Sequence, residues 1–81
     1  MKATNKKQFN KRLPLLVEKG EDGKYVVECP VLEGCYTQGD TIDEALRNIR
    51  EVLALLLEEE QARRVLREYN PEEISLHTII V

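Results

Sequence analysis

At 81 residues the chain has room for one domain, and a domain this small buries only about 60% of the surface that its unfolded form exposes. Charged residues make up 33% and the hydrophobic set 42%, a globular balance rather than a disordered one; with Trp absent and only Phe9, Tyr25, Tyr36 and Tyr69 as aromatics, the core is expected to be aliphatic. No run approaches the roughly 18 apolar residues of a membrane span, and the N-terminus lacks the apolar stretch of a secretion signal, so a cytoplasmic location is expected.

Charge is placed unevenly. Lys2, Lys6, Lys7, Lys11 and Arg12 carry all the charge of the first twelve residues, whereas residues 13–81 hold seven basic against fifteen acidic residues. Residues 1–11 are polar, basic and without hydrophobic period, which predicts a flexible arm ahead of a domain spanning 12–81. Such an arm can touch phosphates but also serves simply as a solubilising terminus. The acidic body points away from nucleic acid and toward a basic partner protein approached by electrostatic steering.

Leu13 to Lys19 is rich in Leu and Val and is closed by Gly20-Glu21-Asp22-Gly23; Lys24 to Cys29 follows with Val26 and Val27, so a β-hairpin is predicted. Pro14 lies near the start of the first run, where a missing N–H harms the ladder least. Pro30 ends the second strand, and Gly34 supplies a permissive backbone before a third short strand, Cys35 to Gln38. Cys29 and Cys35 with a lone His77 are too few ligands for a tetrahedral zinc site, and no cofactor or metal is expected. The two cysteines can pair across adjacent strands, but a cytoplasmic setting favours free thiols packed as small apolar groups.

After Gly39, Thr41-Ile42-Asp43-Glu44 has the form of a capping box, and Asp43 and Glu44 suit the positive end of a helix dipole, so a helix is predicted from about Thr41. Ile42, Ala45, Leu46, Ile49, Leu53 and Leu56 form one apolar stripe. Val52, Leu55 and Leu57 widen it beyond what one sheet covers and are candidates for an oligomer contact. Ala62, Val65, Leu66 and Tyr69 fall out of phase, which predicts a kink or a short second helix before Asn70-Pro71 stops it. Ile74 to Val81 alternates loosely, in the manner of a final strand. The resulting fold class is α+β, βββαβ: a three-stranded antiparallel meander, one packed helix and a final parallel strand, in the order 3-2-1-4 through a right-handed crossover. One helix covers one face of such a sheet, and Leu16, Val26, Tyr36 and Ile79 are not all solvent-tolerant, so a dimer or tetramer is expected.

The stretch Tyr25-Val-Val-Glu-Cys-Pro30, Leu32-Glu-Gly34-Cys35, Thr37-Gln-Gly39-Asp-Thr41 and Glu44-Ala45 with Asn48 resembles the N-terminal domain of HicB-like antitoxins over roughly residues 13–60. The resemblance implies a partial ribonuclease H-like βββαβ domain, in agreement with the element order above. It also implies a partner: a small basic HicA-type ribonuclease toxin of double-stranded-RNA-binding-like fold, which the antitoxin binds and neutralises. Longer members of the family bind operator DNA through a C-terminal domain; here no such segment follows the last predicted strand, which argues against DNA binding by this chain alone.

The motif residues Pro30, Gly34, Gly39, Thr41, Glu44 and Ala45 read as architecture: two backbone necessities, a helix cap, a strand stop and a small residue at a close helix–sheet approach. For partner binding the candidates are the exposed acids Glu28 and Glu33. An orphan oligomeric adaptor or regulator of the same family, without a toxin, is the alternative. A metal-dependent nuclease would need a convergent set of carboxylates, for which Glu18, Asp43 and Glu51 are the candidates; each has a simpler surface or helix-dipole explanation, and no enzyme activity is expected.

Overall fold

A computed structural model of the chain describes residues 9–81. The elements are β1 (Leu16–Lys19), β2 (Tyr25–Glu28), β3 (Tyr36–Gly39), α1 (Ile42–Leu56) and α2 (Glu60–Glu68). Among the described residues the strands form one antiparallel sheet in the order β1-β2-β3. This is the α+β meander expected from the sequence, with β1 and β2 shorter and β3 shifted by one residue to include Gly39. Residues 1–8 of the predicted basic arm lie outside the described residues; Phe9 and Lys11, also assigned to it, are half-buried.

Val17, Val27 and Thr37 stand opposite one another across the sheet, as do Lys19, Tyr25 and Gly39. Because side chains alternate along a strand, these residues face α1 while their neighbours point the other way. The β1–β2 loop closes with Gly20 N–H donating to the Lys24 carbonyl (2.9 Å) and Gly23 N–H to the Gly20 carbonyl (3.0 Å). The β2–β3 loop closes with Cys29 N–H on the Cys35 carbonyl (2.9 Å). Gly34 takes a φ of 77° there, a conformation that costs an L side chain of order 1 kcal/mol or more.

Thr41 is the N-cap of α1, its hydroxyl accepting from Glu44 N–H at 3.0 Å. Glu44 reaches back to Asp40 N–H rather than to Thr41 itself, so the cap reaches one residue further into the strand end than a capping box requires. The helix then passes very close to the sheet. A Cβ placed on Gly39 would stand 2.6 Å from the Ala45 nitrogen, and Ala45 is completely buried.

Val27, Cys29, Leu32, Cys35, Ala45 and Ile49 form the buried cluster, with Leu46, Val52, Leu53, Leu56 and Leu57 packed against it from α1 and its end. Burying Val27 and Ile49 contributes about 1.5 to 3 kcal/mol each. Ile42, expected in the same stripe, is 45% exposed, because it sits in the first turn, beyond the end of the β3 ladder.

The out-of-phase segment is a separate helix, α2. Arg63 defines the corner: its guanidinium donates to the Leu57 carbonyl at 2.8 Å and to Glu60 Oε1 at 2.9 Å, which satisfies a carbonyl left over at the end of α1. Arg67 donates to the other Glu60 oxygen at 2.6 Å. At the far end, Lys11 Nζ donates to the carbonyls of Arg67 (3.3 Å) and Tyr69 (2.8 Å), so a cation from the start of the domain closes the C-terminus of α2, where the helix dipole favours it.

The final parallel strand is where the structure departs from the sequence reading. Residues 74–81 carry no strand, and the sheet has three strands rather than four among the described residues. Ile79, Ile80 and Val81 are 83%, 101% and 110% exposed. The alternation that predicts a strand is present in the chain, but the backbone pairing that would make it one is not.

Gly39→Ala is expected to destabilise the domain by about 1 to 3 kcal/mol, through overpacking against α1. Urea unfolding followed by circular dichroism measures this. A change under about 0.5 kcal/mol, the ordinary range for a surface substitution, would show that the Gly39–Ala45 approach is not tight.

Candidate partner-binding surfaces

Three surfaces stand out. The first is the sheet face turned away from α1. Leu16, Glu28 and Tyr36 are aligned across it, and so are Glu18, Val26 and Gln38. Tyr36 is 64% and Val26 40% exposed, so this face presents apolar side chains with two carboxylates and no cation of its own. An antiparallel sheet tolerates one solvated face when that face is polar; here half the positions are apolar.

The second is a groove of about 340 Å³ between the β2–β3 loop and the α1–α2 corner, lined by Val31, Leu32, Leu55, Ala62 and Val65 with Glu33 and Glu59. Leu55 is 66% exposed there. Val52 and Leu57, grouped with Leu55 in the sequence reading as an oligomer contact, are instead half-buried against the core. The third is the C-terminal segment, whose first residues Ile74 and Leu76 meet Pro14, Leu15, Leu16 and Pro30 in a shallow pocket.

The two acids singled out from the sequence do not share a surface. Glu28 lies on the open sheet face beside Leu16 and Tyr36, and Glu33 belongs to the groove. Glu18 joins Glu28 on the sheet face, a pairing that the spacing along the chain conceals because the residues lie on different strands. Glu18, Asp43 and Glu51 do not converge: the first is on the sheet face away from α1, and the other two are two turns apart along α1. Among the described residues no three His, Cys, Asp or Glu side chains are placed to hold a metal ion, and no helix is long and apolar enough to cross a membrane.

Two residues that sequence reasoning left without a role prove structural. Asn48 Nδ2 donates to the Gln38 carbonyl at 2.9 Å and ties α1 to β3. Lys24 pairs with Asp40 at 2.5 Å, joining the β-hairpin loop to the approach of α1, and Asp40 holds the lysine above its usual pKa. Both partners are exposed, and such pairs contribute little to stability.

Fold and surfaces together define a small α+β domain of three antiparallel strands and two helices with exposed apolar and acidic side chains. The chain belongs to the HicB-like antitoxin family of bacterial toxin–antitoxin systems, whose family model matches residues 13–76. It is 53% identical over 55 residues to UPF0150 protein ssr1258 of Synechocystis, covering 68% of this chain and 74% of that protein. UPF0150 protein Ta0767 of Thermoplasma acidophilum is 43% identical over 65 residues, covering 78% of this chain and 93% of that one. A Haemophilus phage HP1 protein, described as an uncharacterized 14.9 kDa protein, is 42% identical over 45 residues, which is 56% of this chain and 33% of that protein.

Cys29 and Cys35 are free and buried. Burial, and then the neighbouring Cys29, pushes the Cys35 thiol up from its ordinary 9.0 to about 11, so it is protonated and unreactive near neutrality. An acid whose pKa is raised by folding favours the folded state up to its unfolded pKa, near 9, and that advantage fades as pH rises through about 11. Relative to Cys35→Ala, the chain should therefore lose about 1 to 1.5 kcal/mol of stability between pH 8 and pH 10. Parallel urea titrations of the two proteins measure the difference, and identical pH profiles would show that the thiol is not desolvated.

Proposed function

We propose that this chain is an antitoxin-type protein that binds a small basic HicA-type ribonuclease toxin and neutralises it by covering its RNA-binding surface. Family membership supports a role within a toxin–antitoxin system. The observation that carries the reading to this fold is the open sheet face, where Glu18 and Glu28 are set among Leu16, Val26 and Tyr36. Carboxylates of one sign steer a basic partner into place, and the apolar side chains between them slow its departure. Glu33, at the rim of the groove, is the second candidate contact. The chain acts as a binder in the cytoplasm rather than as an enzyme, and it self-associates.

The alternative is an oligomeric adaptor of the same family without a toxin, and the exposed apolar C-terminal segment is the observation that favours it. The two readings differ in what the chain holds.

Tagged expression in the native cells, with mass spectrometry of the eluate, should recover a small basic protein in stoichiometric amount whose RNA cleavage stops when the chain is added. With that toxin, Glu18→Lys/Glu28→Lys should slow association roughly tenfold or more at low salt and much less at high salt. Recovery of the bare chain alone would favour the adaptor; an unchanged association rate would move the contact away from the sheet face.

A further inference from the structure

The segment from Ile74 to Val81 has the pattern of a strand and nothing to pair with. Ser75 Oγ and His77 Nε2 are 2.8 Å apart, as expected of residues i and i+2 on one side of an extended chain. Ile74, Leu76, Thr78 and Ile80 then share one side, and Ile79 and Val81 lie on the other with Ser75 and His77. Five of these eight side chains are large, apolar and at least half exposed.

The sheet has a matching vacancy. β1 is bonded to β2 on one edge and, among the described residues, to no strand on the other. α1 packs mainly over β3 and less closely over β2, so β1 is also the least covered strand. Ile74 and Leu76 already lie beside Pro14, Leu15 and Leu16, at the end of the sheet where β1 begins. From there the segment does not run up its own β1: its last three residues stand free in solvent.

The hinge explains why. Tyr69 ends α2 with an extended backbone, φ −76° and ψ 112°, Asn70 precedes a proline and is thereby held out of the helical region, and Pro71 has a fixed φ. Three consecutive residues of restricted backbone carry the chain off α2, with Lys11 holding the Tyr69 carbonyl; after the bend at Glu72 it passes the start of β1 at Ile74 and Leu76 and leaves into solvent. A stiff hinge, an unpaired strand and an open edge in one chain are the conditions under which two copies exchange an element.

We infer that residues 74–81 of each copy complete the sheet of a second copy, adding along the free edge of its β1, so that the chain is a reciprocal strand-exchanged dimer. This rests on the self-association stated above and not on the toxin. Each three-stranded sheet becomes four-stranded with the added strand beside β1, so that both free β1 edges are paired and one side of each added strand joins the face that α1 covers, in a single symmetric contact.

Light scattering of the full chain, with amide hydrogen exchange of residues 76–81 at high and at low concentration, tests this. The expected result is a dimer in which those amides are protected at least tenfold, protection and dimer being lost together on dilution. Ile79→Pro, which removes a ladder donor outside the folded body, should give a monomer whose β1–β3 and α1 amides remain protected. A concentration-independent monomer would overturn the exchange together with self-association. A dimer whose 76–81 amides exchange freely, or that survives Ile79→Pro unchanged, would overturn the exchange and leave self-association through another surface. Protection that persists in a monomer would mean that the segment pairs with its own β1.

Discussion

The absent side chain at Gly39 is the constraint on which the arrangement depends. The helix starts three residues after β3 ends, and at that spacing its second turn must cross directly over the strand it has just left. Ala45 is the residue that crosses, and its backbone leaves no space for a Cβ on Gly39. Thr41 and Glu44 fix the angle of entry, the Thr41 hydroxyl accepting from the Glu44 N–H and the Glu44 carboxylate from the Asp40 N–H. Once α1 is held there, Ile49 falls over Val27 and the two cysteines, and Asn48 reaches the Gln38 carbonyl. A small residue at one contact and none at the other thus sets the depth of the whole helix–sheet interface.

That placement also decides what stays uncovered. A helix anchored over β3 extends across β2 and leaves β1 at the margin, so β1 is the less covered of the two edge strands and one whole face of the sheet remains open. The polar contacts at the other end act on direction more than on stability. Arg63 bridging Leu57 and Glu60, and Lys11 on the last carbonyls of α2, are half-buried and still partly solvated, where single ion pairs and hydrogen bonds contribute modest net free energy. What they do is turn α2 back along the domain and release the chain at Tyr69 in a defined direction. Glu60, held below the usual carboxylate range by Arg67 and Arg63, remains charged in this role at any pH near neutrality.

On the outward side of β1 and β2 each strand carries one apolar and one acidic residue, Leu16 and Glu18, Val26 and Glu28, because a strand facing a helix on one side must carry its other side chains outward. The open face is therefore a by-product of the same periodicity that builds the core, and it sets carboxylates beside exposed apolar side chains. In the sequence, Glu28 and Glu33 look like neighbours, five positions apart. In the fold the turn after Pro30 intervenes, so Glu28 shares its face with Glu18 from another strand, and Glu33 goes to the groove. The oligomer candidates divide similarly: Val52 and Leu57 are taken up by the core, and Leu55 alone stays well exposed.

Local chemistry determined the three strands, the start of α1 at Thr41, the second helix and the family, since each depends on residues adjacent in the chain: alternating β-branched side chains, Gly and Pro at the turns, a cap three residues before Glu44. The strand pattern of 74–81 was equally legible, and so was the strand it would have to join. Whether it joins was not, because pairing depends on the path taken after α2, through Pro71 and the bend at Glu72 and past Pro14 to Leu16 at the far end of the chain. Which acids share a surface, and which apolar residues of α1 remain outside, were likewise decided only by tertiary structure. A side chain's own sequence neighbours specify its local conformation, whereas its exposure depends on which distant element comes to lie over it.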